Sequence, residues 1–203
     1  MAKAGRVSGI RPRQSLRDNA QKVIDARLEE FLSWRSALTD PTEVQALHDM
    51  RIAAKRLRYA LEIFELCFPD TKPLIKEITR VQEDLGEIHD LDVLTDLMRD
   101  RLRRHGVPLT QKAVEVTETA ANRSEQMNRL RAALYAQARD PRRLGLLALI
   151  GDQVMERRKR YETFSRHWGG KRLDRFASEV RVGTGLVDTT EPDSAQVAGG
   201  NAV

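Results

Sequence analysis

His48, Arg51, Lys55 and Arg58 stand three, four and three residues apart. On an α-helix, at about 100° per residue, these spacings gather all four onto one narrow arc. The rise of about 1.5 Å per residue sets neighbouring charges roughly 4.5–6 Å apart over nearly three turns. Such a row repels itself, and like charges at i, i+4 cost roughly a few tenths of a kcal/mol per pair. Glu62 continues the arc and relieves one end only. A chain of phosphates would relieve the whole row, so the chemistry it suits is capture of a linear polyanion. Arginine adds a planar fork matched to phosphate oxygens. His48 is a further donor, and a bound anion would raise its affinity for a proton. Arg56 falls on the flank of the arc, near the core edge. The competing reading is an ordinary solvated basic face.

Other chemistries find less support. There is no Gly-rich phosphate loop, no Cys/His zinc spacing and no Gly-x-Ser-x-Gly elbow. His48, the His89-Asp90 pair and a later Asp loosely resemble the metal pattern of helical HD-type metal-dependent phosphohydrolases. Such a set could activate water on a divalent ion. Arg51, Lys55 and Arg58 oppose a metal ion there by surrounding His48 with positive charge. The expectation is therefore no catalytic residue, no metal ligand and no cofactor. A nucleic-acid-binding helical protein is the other alternative, because its ligand also presents regular phosphates. The chain shows no aromatic stacking platform and no helix-turn-helix spacing to favour it.

The elements that must carry these residues read as helices. Charged residues make up 32% of the 203 and aromatics 5%, and runs of Ala, Leu, Glu, Lys and Arg dominate, a helix-forming composition. The fold class is all-α, an antiparallel bundle of about five long helices. Ser15 caps a first helix to about Leu38. Asp40-Pro41-Thr42-Glu43 reads as N-cap, N1 proline and capping box for a second helix, ending near Phe68. Its core face is Met50, Ala53, Ala54, Leu57, Ala60, Leu61 and Phe64. The third runs from Thr71–Pro73 to about Arg104, with Gly86 inside it; close helix packing or a bend would offset that glycine's cost. The fourth spans about Thr110 to Ala138 and the fifth Pro141 to Trp168. A short helix from Lys171 to about Val180 follows the Gly169-Gly170 break. Residues 1–14 are expected to be a disordered basic arm, 15–180 one helical domain, and 183–203 a disordered tail.

Net charge is +5 and uneven. Residues 1–17 hold Lys3, Arg6, Arg11, Arg13 and Arg17 and no acid, and residues 142–175 hold ten Lys/Arg. The single cysteine, Cys67, reads as a small buried thiol in a reducing compartment. With no apolar signal region and no membrane-spanning run, no membrane partner is expected and a cytoplasmic location is.

The block from His48 to Phe64, HDMRIAAKRLRYALEIF, resembles the signature of the CHAD family, the conserved-histidine α-helical domain. The block from Gln82 to Leu94, QEDLGEIHDLDVL, resembles that family's following helix in order and distance. The resemblance spans roughly residues 15–180. It implies non-catalytic binding of inorganic polyphosphate in a basic cleft, often at polyphosphate granules. The matching ligand positions are His48, Arg51, Lys55, Arg56 and Arg58. The family commonly has two related halves, so two packed sub-bundles around a basic cleft are the implied arrangement. Only one clear motif is present here. Lys159 and Arg166 could form a second wall, on a helix whose Tyr161, Phe164 and Trp168 read as core. Solvated cations on an ordinary helix explain those two equally well. The Glu-x-Glu-x-Lys strand of the CYTH domain often fused to this family is absent, so triphosphate processing is not expected.

Overall fold

The computed structural model describes residues 5–104, 118–135 and 141–186. Among the described residues the elements are helical: α1 (Leu16–Leu32), a 3₁₀ turn (Arg35–Leu38), α2 (Val44–Ile63), two further 3₁₀ turns (Glu65–Cys67 and Pro69–Thr71), α3 (Lys72–Arg104), α4 (Arg123–Tyr135), α5 (Pro141–Trp168) and α6 (Lys171–Gly183). The all-α bundle is thus observed. α3 lies between α2 and α5 and runs antiparallel to both, as the pairs Arg58–Gln82 and His48–His89 show on one side and Arg160–Glu87 and Arg157–Asp92 on the other.

Among the described residues two apolar cores form, sharing the long helices. The larger joins α1, α2, the first half of α3, the end of α5 and α6. The expected core face of α2 is buried in it, with Phe64 half-buried. Tyr161, Phe164 and Trp168 are also in this core. Phe176 of α6 packs edge-on against Phe31 and Trp168, at ring separations of 6.3 and 6.0 Å. Burying each large side chain contributes about 1.5–3 kcal/mol. The smaller core is Leu102, Leu130, Leu147 and Ile150, at the far ends of α3 and α5 with α4. With 33 residues, α3 is roughly 50 Å long and reaches both.

Several helix ends differ from the sequence reading, each for a local reason. Ser15 caps α1 as expected, its Oγ accepting from the Asp18 N–H at 3.0 Å. α1 stops at Leu32, and the segment to Leu38 tightens into the 3₁₀ turn. Tyr161 Oη and Ser165 Oγ hold that turn by donating to the carbonyls of Ala37 and Leu38. Asp40 does not cap α2. Its Oδ1 accepts from Thr42 N–H and Oγ–H, at 2.8 and 2.6 Å, closing a turn before the helix, which starts at Val44. Side-chain bonding of this kind competes with capping. α2 ends at Ile63, not Phe68. In the fourth segment the helix begins anew at Arg123, where Asn122 Oδ1 accepts from Glu125 N–H and Glu125 Oε2 accepts from Ala121 N–H. That reciprocal pair interrupts the single helix read between Thr110 and Ala138; residues 110–117 and 136–138 lie outside the described residues.

The amino-terminal arm also differs. From Gly5 it lies along α1. Asn19 exchanges two hydrogen bonds with the Arg11 backbone, Lys22 donates to Gly9 O at 2.7 Å, and Arg27 donates to Gly5 O. Apolar content was too low to predict this docking, because polar side chains of α1 provide it. Thr184 is buried, and Gln21 holds its carbonyl; residues 1–4 and 187–203 lie outside the described residues. Cys67 is half-buried and free.

Candidate functional site

α2 presents its core side to α1 and α3, which leaves His48, Arg51, Lys55 and Arg58 along its outer edge beside α3. Three of the four meet α3 in sequence order. Arg58 Nε donates to Gln82 Oε1 at 2.9 Å. Arg51 lies over Gly86, where a β-carbon would come within 3.6 Å of its Nε. His48 faces His89, with Nδ1 atoms 3.4 Å apart and ring centroids 4.6 Å apart. The row is therefore one wall of a seam, and Gln82, Gly86 and His89 form the other.

Gly86 leaves Arg51 room against α3: a β-carbon there would make an ordinary contact, whereas a larger side chain would need the space Arg51 fills. The Arg51 Nε is buried and finds no acceptor among the described residues. Lys55 is exposed and lies 5.6 Å from the Tyr59 ring centroid, with no carboxylate partner among the described residues. Arg58 is more committed. It pairs with Glu62 at 2.6 Å and stacks 4.6 Å from the Tyr59 centroid. The seam thus holds two cations without a carboxylate partner among the described residues, a third held in place, and a pair of imidazoles. Burial, then the nearby His48 and Arg51, holds His89's affinity for a proton below its ordinary value, while Asp90 and Asp92 pull the other way. A field of this sign favours an anion and disfavours a metal cation. Among the described residues no group of three or more His, Cys, Asp and Glu could hold a metal ion.

Arg56 is not brought into the row. It turns toward α1 and pairs with Glu30, which also pairs with Arg27. The Glu30 side chain is only 10% exposed, so this cation is used inside the protein. Lys159 is exposed on α5 and lines an open pocket of about 290 Å³ with Asp84, Glu87, Glu156 and Arg160. Arg160 pairs with Glu87 and Glu156. Lys159 thus meets the α3 face bearing Asp84 and Glu87, not the face bearing Gln82, Gly86 and His89. Arg166, two turns further along α5, is exposed.

Beyond the His48 end of the seam lies a second pocket of about 300 Å³, lined by Pro41, Val44, Asp92, Thr95, Arg99 and Arg157 among others. Its carboxylates are all engaged by arginines, and its remaining cation, Arg158, donates to the carbonyls of Ala120 and Glu118. Arg157 pairs with Asp92 and donates to Pro41 O, and Arg99 pairs with Asp96 and Glu118. These contacts tie the α2 entry loop to α3 and α5, setting where the row begins.

Gln82 and Gly86 were not identified as site residues in the sequence, and His89 was singled out only with Asp90 in the metal-like pattern. All three lie in the family-like block from Gln82 to Leu94, but the antiparallel register that brings them to α2 is not visible in either helix alone.

A family model described as the CHAD domain matches residues 2–99 and 22–182. No curated protein matches the chain, and no solved structure does.

Proposed function

The chain belongs to the CHAD domain family, and from that premise we propose that it binds inorganic polyphosphate along the α2–α3 seam, without catalysis. The observation that carries this is the state of Arg51 and Lys55: aligned, adjacent, and without a carboxylate partner among the described residues. A cation already paired inside the protein gains little from a phosphate, whereas an unpaired one gains the full interaction. From His48 to Arg58 the row is roughly 15 Å long, so it spans several phosphates of a chain and would be poorly filled by a single one. Membrane association is not part of the proposal; among the described residues no helix is long and apolar enough to cross a membrane. A place in the cytoplasm, at polyphosphate granules, accords with this ligand.

The test is a titration of long-chain polyphosphate with wild type and the Arg51→Ala/Lys55→Ala/Arg58→Ala variant at two salt concentrations. At about 1 kcal/mol for each of Arg51 and Lys55, and less for Arg58, which is already paired with Glu62, affinity falls roughly 30- to 100-fold. The helical circular dichroism persists, because these side chains point away from the core. Equal binding by the variant would remove the seam from consideration. Competition with RNA and DNA checks the ligand, and polyphosphate should displace either at far lower phosphate concentration. Phosphate release dependent on a stoichiometric metal would instead mark an enzyme.

A further inference from the structure

His48 and His89 meet across the seam at an Nδ1–Nδ1 separation of 3.4 Å. Two imidazoles so placed accommodate one proton well, because a protonated Nδ1 on one ring can donate to the bare Nδ1 of the other. A second proton sets two cations against each other and against Arg51, one turn along α2. Few other groups face the pair. α2 contributes buried Asp49 beside His48 in sequence, α3 contributes Asp90 and Asp92, and on the α5 side Arg157 pairs with Asp92 and offsets that carboxylate's pull. The free protein therefore resists the second proton while leaving a place for it.

We propose that this imidazole pair makes polyanion binding proton-linked: a phosphate chain lying along Arg51 and Lys55 supplies the negative charge that the second proton lacks, so the complex takes up a proton and tightens as pH falls. The inference rests on the polyanion reading of the seam. Its sign follows from linkage. Binding raises the pair's affinity for a proton, so the gain appears as pH falls through the pair's titration in the complex. It levels off once the free protein is protonated as well. Internal phosphates of a long chain remain ionised throughout this range, so the ligand adds no slope of its own. An imidazolium within several ångströms of a phosphate at a protein surface gives an effect of roughly three- to tenfold between pH 8 and pH 6.

Calorimetric titration with long-chain polyphosphate at fixed ionic strength, between pH 6 and pH 8 and in two buffers of different ionisation enthalpy, measures the proton uptake directly. Wild type should take up roughly half to one proton per site within this window. The His48→Gln/His89→Gln variant should bind with little uptake and a flat pH profile. The His89 ring resonances in wild type give a second readout: protonation held to lower pH than usual in the free protein and moved to higher pH by saturating polyphosphate. Tight binding by wild type without proton uptake would overturn the inference and leave the polyanion reading intact, as would undiminished uptake in the double variant. Absence of binding at every pH would instead overturn the polyanion reading itself.

Discussion

Replacing Gly86 separates the stability of α3 from the use of Arg51. A glycine inside a helix costs about 0.8–1.0 kcal/mol relative to alanine. A β-carbon at this position would meet Arg51 Nε at 3.6 Å and nothing nearer, an ordinary contact distance. Gly86→Ala should therefore recover the whole propensity gain, about 1 kcal/mol, which for a chain of this size raises Tm by about 2–4 °C. Arg51 keeps its place, and polyphosphate affinity should change by less than about threefold. Gly86→Leu is different. Its branched end needs the space that the guanidinium fills, so Arg51 must swing away from α3 and leave the row. Affinity should then fall about as far as in Arg51→Ala, roughly five- to tenfold for about 1 kcal/mol of lost interaction, while leucine's helix propensity maintains α3. Urea unfolding followed by far-ultraviolet circular dichroism gives the stabilities, and polyphosphate titration in the same buffer gives the affinities. Two results would refute the reasoning. Destabilisation of Gly86→Ala by 1 kcal/mol or more would mean that α3 is packed more tightly at this position than the 3.6 Å contact indicates. Wild-type affinity in Gly86→Leu would mean that Arg51 does not serve the ligand from this position.

Salt dependence should be steep: with three or four cations engaged, the logarithm of the binding constant should fall against the logarithm of salt with a slope of roughly −2 to −4, read from titrations at several salt concentrations. Arg56→Ala should lower stability by about 1–3 kcal/mol in urea unfolding, because Glu30 loses a partner in a half-buried site, yet change polyphosphate affinity less than Arg51→Ala does. Asp92→Asn should cost about 2–4 kcal/mol of stability, because Arg157 and Asp92 are each only 14% exposed and the guanidinium is left without its counter-charge. His89→Gln should lessen the loss of stability on acidification: in the native state His89 holds its proton less tightly than the ordinary 6.5, so below about pH 6.5 the unfolded chain binds more protons and wild-type stability falls. Unfolding at pH 7.5 and 5.5 measures that difference.

Helix periodicity revealed most of the bundle, because burial of a continuous apolar stripe is a local property of spacing. Met50, Ala53, Ala54, Leu57 and Leu61 were readable as one face without knowing what covers them, and they are buried. Helix ends were harder. Asp40 has the residue type and spacing of an N-cap, but Thr42 offers it a nearer pair of donors. Asn122 and Glu125 form a start signal inside a segment that reads as continuous helix. In both cases two local hydrogen-bond patterns compete at similar energy, and composition does not decide between them. The docked arm failed for another reason: its fastening is made of polar bonds to α1, which a search for apolar content does not register.

The same distinction governs the site. A helical wheel places a cation on a face but does not say whether it is already neutralised. Arg56 and Arg58 are two residues apart in one motif, and Lys159 looks as available as Lys55. In the folded chain Arg56 is paired with Glu30, and Lys159 stands beside Asp84, Glu87 and Glu156, whereas Lys55 lies beside a tyrosine ring and Arg51 lies on a bare stretch of α3. Long-range pairing thus divides the basic residues into those that hold the fold and those left without a carboxylate partner among the described residues. It also explains why the seam is one-sided in charge: α3 contributes a glycine, an amide and an imidazole, which position α2's cations without neutralising them. An acid at position 82, 86 or 89 would pair with these cations and stabilise the free protein. The row is therefore held at some cost to the stability of the free protein.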